Sequence, residues 1–211
     1  MNAEEKNQHR KSSLGQESHL SLVDRFGIWL SARWVRAACG DISGRRVADI
    51  GCGYRAEMGR HLLTRAAHVS FIDVSVSPDL RAYANASIYE GQLPSVMALI
   101  SDHDNDIVVG NSVLEHMSEP RETLAECFRI LKPGGTLLIN IPSWRGKWFL
   151  EFSGFTLGLS TADEIDDHKI YYDPKDIWPL LVQAGFRPRN ITCRTHKFGL
   201  NTYAICHKDA G

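Results

Sequence analysis

The sequence predicts an α/β protein built on a doubly wound, mostly parallel sheet. Three observations carry that expectation. Short apolar runs alternate with stretches of helical period between residues 45 and 141. The first run, Val47-Ala48-Asp49-Ile50, ends in an alternating glycine pair, Gly51-Cys52-Gly53, which gives a sharp turn with room for close approach to the backbone. The last two runs, 189–194 and 201–207, are separated by so short a link that they must pair antiparallel.

A chain of 211 residues is enough for one domain with attachments, divided as an N-terminal tail and amphipathic helix over 1–42 and a body over 43–211. The net charge is −1 and no basic stripe is sustained, so no nucleic-acid partner is expected. No apolar run approaches the ~18 residues of a membrane span. The polar stretch 1–18 lacks the apolar core of a signal peptide, so the expected location is cytoplasmic. Five cysteines without C-x-x-C spacing argue against a disulfide framework and a zinc site, and no metal is expected.

Residues 1–18 have little to bury. Leu22, Phe26, Trp29, Leu30, Trp34 and Ala37 then follow a helical period, opened by the capping pair Ser21 and Asp24 and ended by Gly40. This helix is placed over a sheet face or over the mouth of a ligand site. After the first strand and turn, Met58, Leu62, Leu63 and Ala66 predict a helix over 54–66. Gly51-x-Gly53-x-x-Ala56, with Asp73 about 20 residues on, fits a dinucleotide fingerprint, which keeps a nicotinamide-dependent oxidoreductase as one reading. Asp49 weighs against it, because a carboxylate repels a pyrophosphate and attracts a ligand with an ammonium or sulfonium group.

Strands follow at 68–74, closed by Asp73, and at 86–90, leading into Gly91-Gln92-Leu93-Pro94. The continuous apolar run 106–111 reads as a strand buried on both faces. A helix opens at Ser118-Glu119-Pro120 and stops at Lys132-Pro133-Gly134-Gly135, before a fifth strand over 136–141. Residues 143–170 break the alternation with Trp144, Trp148, Phe149, Phe152 and Phe155 among Gly146, Gly154 and Gly158. A segment of that length at the carboxyl edge of a sheet reads first as a lid, then as a dimer contact, then as a membrane contact. A helix from Pro174 to Ala184, stopped by Gly185, contains Pro179, which should bend or shorten it.

The blocks 47–53, Asp73, 91–94, Asn111-Ser112-Val113-Leu114-Glu115-His116 and 131–135 resemble, in order and spacing, the class I S-adenosylmethionine-dependent methyltransferases that act on small molecules. The resemblance implies a Rossmann-like seven-stranded sheet of order 3-2-1-4-5-7-6 with the seventh strand antiparallel, and S-adenosyl-L-methionine as cofactor. It points to Asp49, Gly51, Cys52, Gly53, Asp73, Val74, Gln92, Leu93, Asn111 and Ser112 as cofactor-binding residues. Asp73 accepts hydrogen bonds from the ribose hydroxyls, and Asn111 lies near the methionine part. Gln92 stands where many relatives carry an acidic residue facing adenine; Asp102 or a backbone group is the alternative for that contact.

The expected reaction is methyl transfer to an oxygen, less often a nitrogen, of a sugar, natural product or lipid-linked small molecule. An alcohol or phenol acceptor needs a general base, for which His116 and His168 are the candidates. Trp144 and Tyr171 are candidates for substrate contact, with Asp167 a further option. A cofactor-binding subunit without catalysis is the other reading, and the chain is expected to be a monomer or homodimer.

Overall fold

The computed structural model describes Ser13 and residues 22–146 and 170–211. A seven-stranded sheet runs through it: β1 (Arg46–Ile50), β2 (His68–Asp73), β3 (Ala86–Glu90), β4 (Asn105–Asn111), β5 (Leu131–Pro142), β6 (Ile191–His196) and β7 (Asn201–His207). Its spatial order is β3-β2-β1-β4-β5-β7-β6. The first five strands pair parallel, with Val47 beside Val69 and Ile107, while β7 pairs antiparallel with both β5 and β6. The fold class and strand order are those expected.

Among the described residues four α-helices flank the sheet: α1 (Leu22–Cys39), α2 (Glu57–Arg60), α3 (Pro120–Ile130) and α4 (Pro174–Gln183). Successive side chains of a strand point to opposite faces. Val108 and Leu137 therefore join one core, with Leu124 and Cys127 of α3 and Ile177 and Leu181 of α4. Val109 and Leu138 join the other, with Val35 of α1 and Met58 of α2. The two fully buried faces explain why β4 reads as an unbroken apolar run.

Four elements differ from the sequence expectation, β6 by starting at Ile191, after a 3-10 turn, rather than at Arg189. The helix after the glycine turn has a single α-helical turn; its continuation is tightened, as in Leu62 N–H to Gly59 O at 2.9 Å. The chain also approaches the sheet closely here: a Cβ at Gly59 would lie 2.4 Å from Asp49 Oδ2. β5 starts at Leu131 rather than after the glycines, pairing Asn105 with Leu131 before the register shifts to Ile107 with Thr136. α4 continues past Pro179 to Gln183 instead of being shortened there. Pro179 and Lys175, whose carbonyl loses its i+4 donor, both lie on the exposed side, where water can satisfy that oxygen, while Ile177 and Leu181 anchor the buried side.

Residues 147–169, which hold most of the aromatic insertion and His168, lie outside the described residues. Each of the five cysteines is free. Among the described residues no helix is long and apolar enough to cross a membrane.

Candidate active site

The site is built where β1, β2 and β4 end side by side. β1 pairs with β2 on one side and β4 on the other, so the turn after Ile50 faces the loops after Asp73 and Asn111. Gly51 donates its N–H to Ile72 O at 2.7 Å, and Gly53 donates to Asp73 Oδ2 at 2.7 Å. Both glycines have positive φ, 64° and 74°. A Cβ at Gly51 would meet Val113 Cγ2 at 2.3 Å, so the turn and the β4 loop come together only because that atom is missing.

The two acidic residues play different parts. Asp73 Oδ1 accepts Val74 N–H at 2.7 Å, and its carboxylate borders a cleft together with Gly51 and Val74. Asp49 lies behind the turn at 1% exposure, and among the described residues neither of its carboxylate oxygens has a hydrogen-bond partner. Burial, reinforced by the charge of Asp73, pushes its carboxyl up to about 8. This shift favours the protonated form of Asp49 at neutral pH.

The opposite wall of the cleft comes from Gly91, Gln92 and Leu93 after β3 and from Ser112, Val113 and His116 after β4. Ser112 has a φ of 53° and donates its N–H to Asn140 O at 2.8 Å, which turns the chain into the short 3-10 segment Leu114–His116. Of the expected cofactor residues, Gly51, Asp73, Val74, Gln92, Leu93 and Ser112 meet at the cleft. Gly53 and Cys52 belong to the turn itself. Burial, with Asp49 and Asp73 close by, raises the Cys52 thiol well above its ordinary range. Asp102 is held by Arg129 at 2.6 Å and does not border the cleft.

Asn111 is tied into a polar chain that the sequence did not reveal. Asn140 Nδ2 donates to Asn111 Oδ1 at 2.8 Å, and Asn140 Oδ1 lies 2.7 Å from His196 Nε2. Ser31 Oγ accepts from Lys197 Nζ at 2.8 Å and from Asn140 Nδ2 at 3.3 Å. Burial and the charge of Lys197 hold His196 down at about 4, while burial lowers Lys197 to about 8. The one advance signal is the β4–β5 register, which sets Asn111 beside Asn140. Trp144 and Tyr171 pack together, ring centroids 5.7 Å apart, and Trp144 Nε1 donates to Asp176 at 3.2 Å. Neither borders the cleft beside Gly51.

A glycine turn with carboxylates at two adjacent strand ends and a polar opposite wall defines a nucleoside-binding α/β domain. A family model described as "Methyltransferase domain" matches residues 48–139. A protein of Mycolicibacterium smegmatis named "Probable S-adenosylmethionine-dependent methyltransferase" is 30% identical over 103 residues, 48% of this chain and 39% of that protein. The chain thus spans well under half the length of that relative. A ubiquinone biosynthesis O-methyltransferase of Escherichia coli is 23% identical over 82% of this chain and 75% of its own. For the fold, the crystal structure of a SAM-dependent methyltransferase from Archaeoglobus fulgidus matches with a TM-score of 0.62 at 15% identity, covering 85% of this chain and 93% of that one. Over residues 48–139 the chain is similar to S-adenosylmethionine-dependent methyltransferases, a likeness that favours that cofactor over a nicotinamide at the glycine turn.

The described residues fit S-adenosylmethionine. The space above Gly51 admits no side chain, and the buried carboxyl of Asp49 behind the turn has no hydrogen-bond partner among the described residues.

Proposed function

We propose that this methyltransferase acts on an oxygen of a small molecule, with His116 taking the proton from the acceptor. The observation that carries the reading is that His116 borders the same cleft as Asp73 and Gly51. Asp73 is assigned to the ribose, Gln92 to the adenine edge, and the turn at Gly51 and Gly53, backed by Asp49, to the cationic amino-acid end. Bound S-adenosylmethionine supplies an activated methyl group, so the chain's task is alignment, exclusion of water and removal of a proton. Alignment of reacting groups can be worth ~7–11 kcal/mol, and a positioned base typically contributes about 10²–10⁴-fold. The Escherichia coli relative's name, an O-methyltransferase, supports oxygen as the acceptor atom.

The test is methyl transfer to panels of phenols, sugars and amines by the unaltered protein and by His116→Asn and His168→Asn. The proposal expects turnover on hydroxylated acceptors, a loss of about 10²-fold or more in kcat for His116→Asn, and cofactor affinity close to that of the parent. Turnover on amines alone overturns oxygen as the acceptor. Full activity of His116→Asn overturns its role, and a loss confined to His168→Asn transfers the role to that residue.

A further inference from the structure

A hydroxyl from the N-terminal part of the chain sits on the carboxylate assigned to the ribose. Ser13 Oγ lies 2.5 Å from Asp73 Oδ1 and 2.6 Å from Ser75 O, and it accepts Ser75 N–H at 2.8 Å. Ser13 is 4% exposed and Asp73 7%. The contact joins residues 60 apart in sequence, and the serine is held by three groups of the β2 end.

The acceptor sites of the carboxylate make this contact consequential. Each carboxylate oxygen offers about two lone-pair sites. Asp73 Oδ2 spends one on Gly53 N–H, leaving one open. Oδ1 receives Val74 N–H, and Ser13 Oγ, whose one hydrogen goes either to Oδ1 or to Ser75 O, stands 2.5 Å away over its remaining site. A vicinal diol that places one hydroxyl on each carboxylate oxygen therefore needs the position Ser13 holds. An added hydroxyl and Ser13 Oγ cannot share it.

We propose that Ser13 is an intramolecular occupant of the ribose subsite: its hydroxyl stands where a ribose hydroxyl binds, and cofactor entry exchanges one for the other. The inference rests on the assignment of Asp73 to the ribose. Its consequence is an affinity lowered by the fraction of molecules in which Ser13 is seated.

The experiment titrates S-adenosylhomocysteine, and its analogue lacking both ribose hydroxyls, into the full chain and into Ser13→Ala by calorimetry. Ser13→Ala is expected to bind S-adenosylhomocysteine several-fold to about tenfold more tightly and the dideoxy analogue with unchanged affinity. Unchanged or weaker binding of S-adenosylhomocysteine by Ser13→Ala overturns the exchange. Failure of the unaltered chain to bind S-adenosylhomocysteine at all instead overturns the cofactor assignment on which the inference stands.

Discussion

Asp49 shows how position along one turn changes what a carboxyl does. Asp73 is held by backbone N–H groups at the cleft, whereas Asp49 is buried two residues before Gly51 with no donor, and its carboxyl rises to about 8. The folded state binds this proton more tightly than the unfolded chain, in which an aspartic acid titrates near ~3.9. The stability contributed is therefore complete below about pH 4 and is lost as pH rises toward about 8. Urea melts of the cofactor-free protein should show stability falling across that window, and Asp49→Asn should flatten the fall; a slope unchanged by the substitution would assign it to other groups. A cationic ligand at the turn should also ionise Asp49. Binding of S-adenosylmethionine at pH 7 is thus expected to release a proton, seen as a binding enthalpy that differs between phosphate and Tris and no longer differs in Asp49→Asn. Gly51→Ala meets both a left-handed φ of 64° and Val113 at 2.3 Å. The backbone penalty alone is ~1–2 kcal/mol, so a lowered melting temperature and at least tenfold weaker cofactor binding are expected, with unchanged affinity as the contrary result. The turn was legible from the sequence because glycine spacing and strand-end acids are local signals. That Asp49 is buried and does not line the cleft was not, since it depends on the close packing of Gly59 beside Asp49 and Phe71.

At the level of elements, strands were easier to read than helices. The ladders of β1, β2, β3 and β7 match their apolar runs because a strand buried on a sheet face states its period in its own residues. The helix after the glycine turn shrank to one α-helical turn because of a tertiary approach at Gly59, and α4 outlasted Pro179 because the orphaned carbonyl faces water. α4 is also held by a capping box: Asp176 Oδ2 accepts Asp173 N–H at 2.9 Å, and the Asp173 side chain accepts the Asp176 N–H in return. Asp173→Ala should cost about 1 kcal/mol and lower the melting temperature by ~2–4 °C for a chain of this size. A calorimetric scan showing no shift would mean that the Ile177 and Leu181 contacts alone set the helix start.

Across the whole molecule, the sequence carried the cofactor half of the protein further than the acceptor half. The family match covers 48–139, the part whose blocks are contiguous in sequence. The polar chain from Asn111 through Asn140 to His196, with Ser31 and Lys197 beside it, is assembled from α1, β4, β5 and β6, and no local pattern announces it. Asn140 is fully buried and satisfies three partners there. Asn140→Leu is expected to destabilise by ~1–3 kcal/mol by leaving buried polar groups unpaired, checked by urea denaturation; an unchanged midpoint would show that water replaces the amide. The most direct test of the account as a whole is the dissociation constant of S-adenosylhomocysteine for the unaltered chain and for Asp73→Asn, measured by calorimetry at pH 7. The account predicts binding by the parent and about 10- to 100-fold weaker binding by the variant, as a charge-assisted contact is removed. Equal affinities, or binding of a nicotinamide dinucleotide in place of S-adenosylhomocysteine, would contradict it.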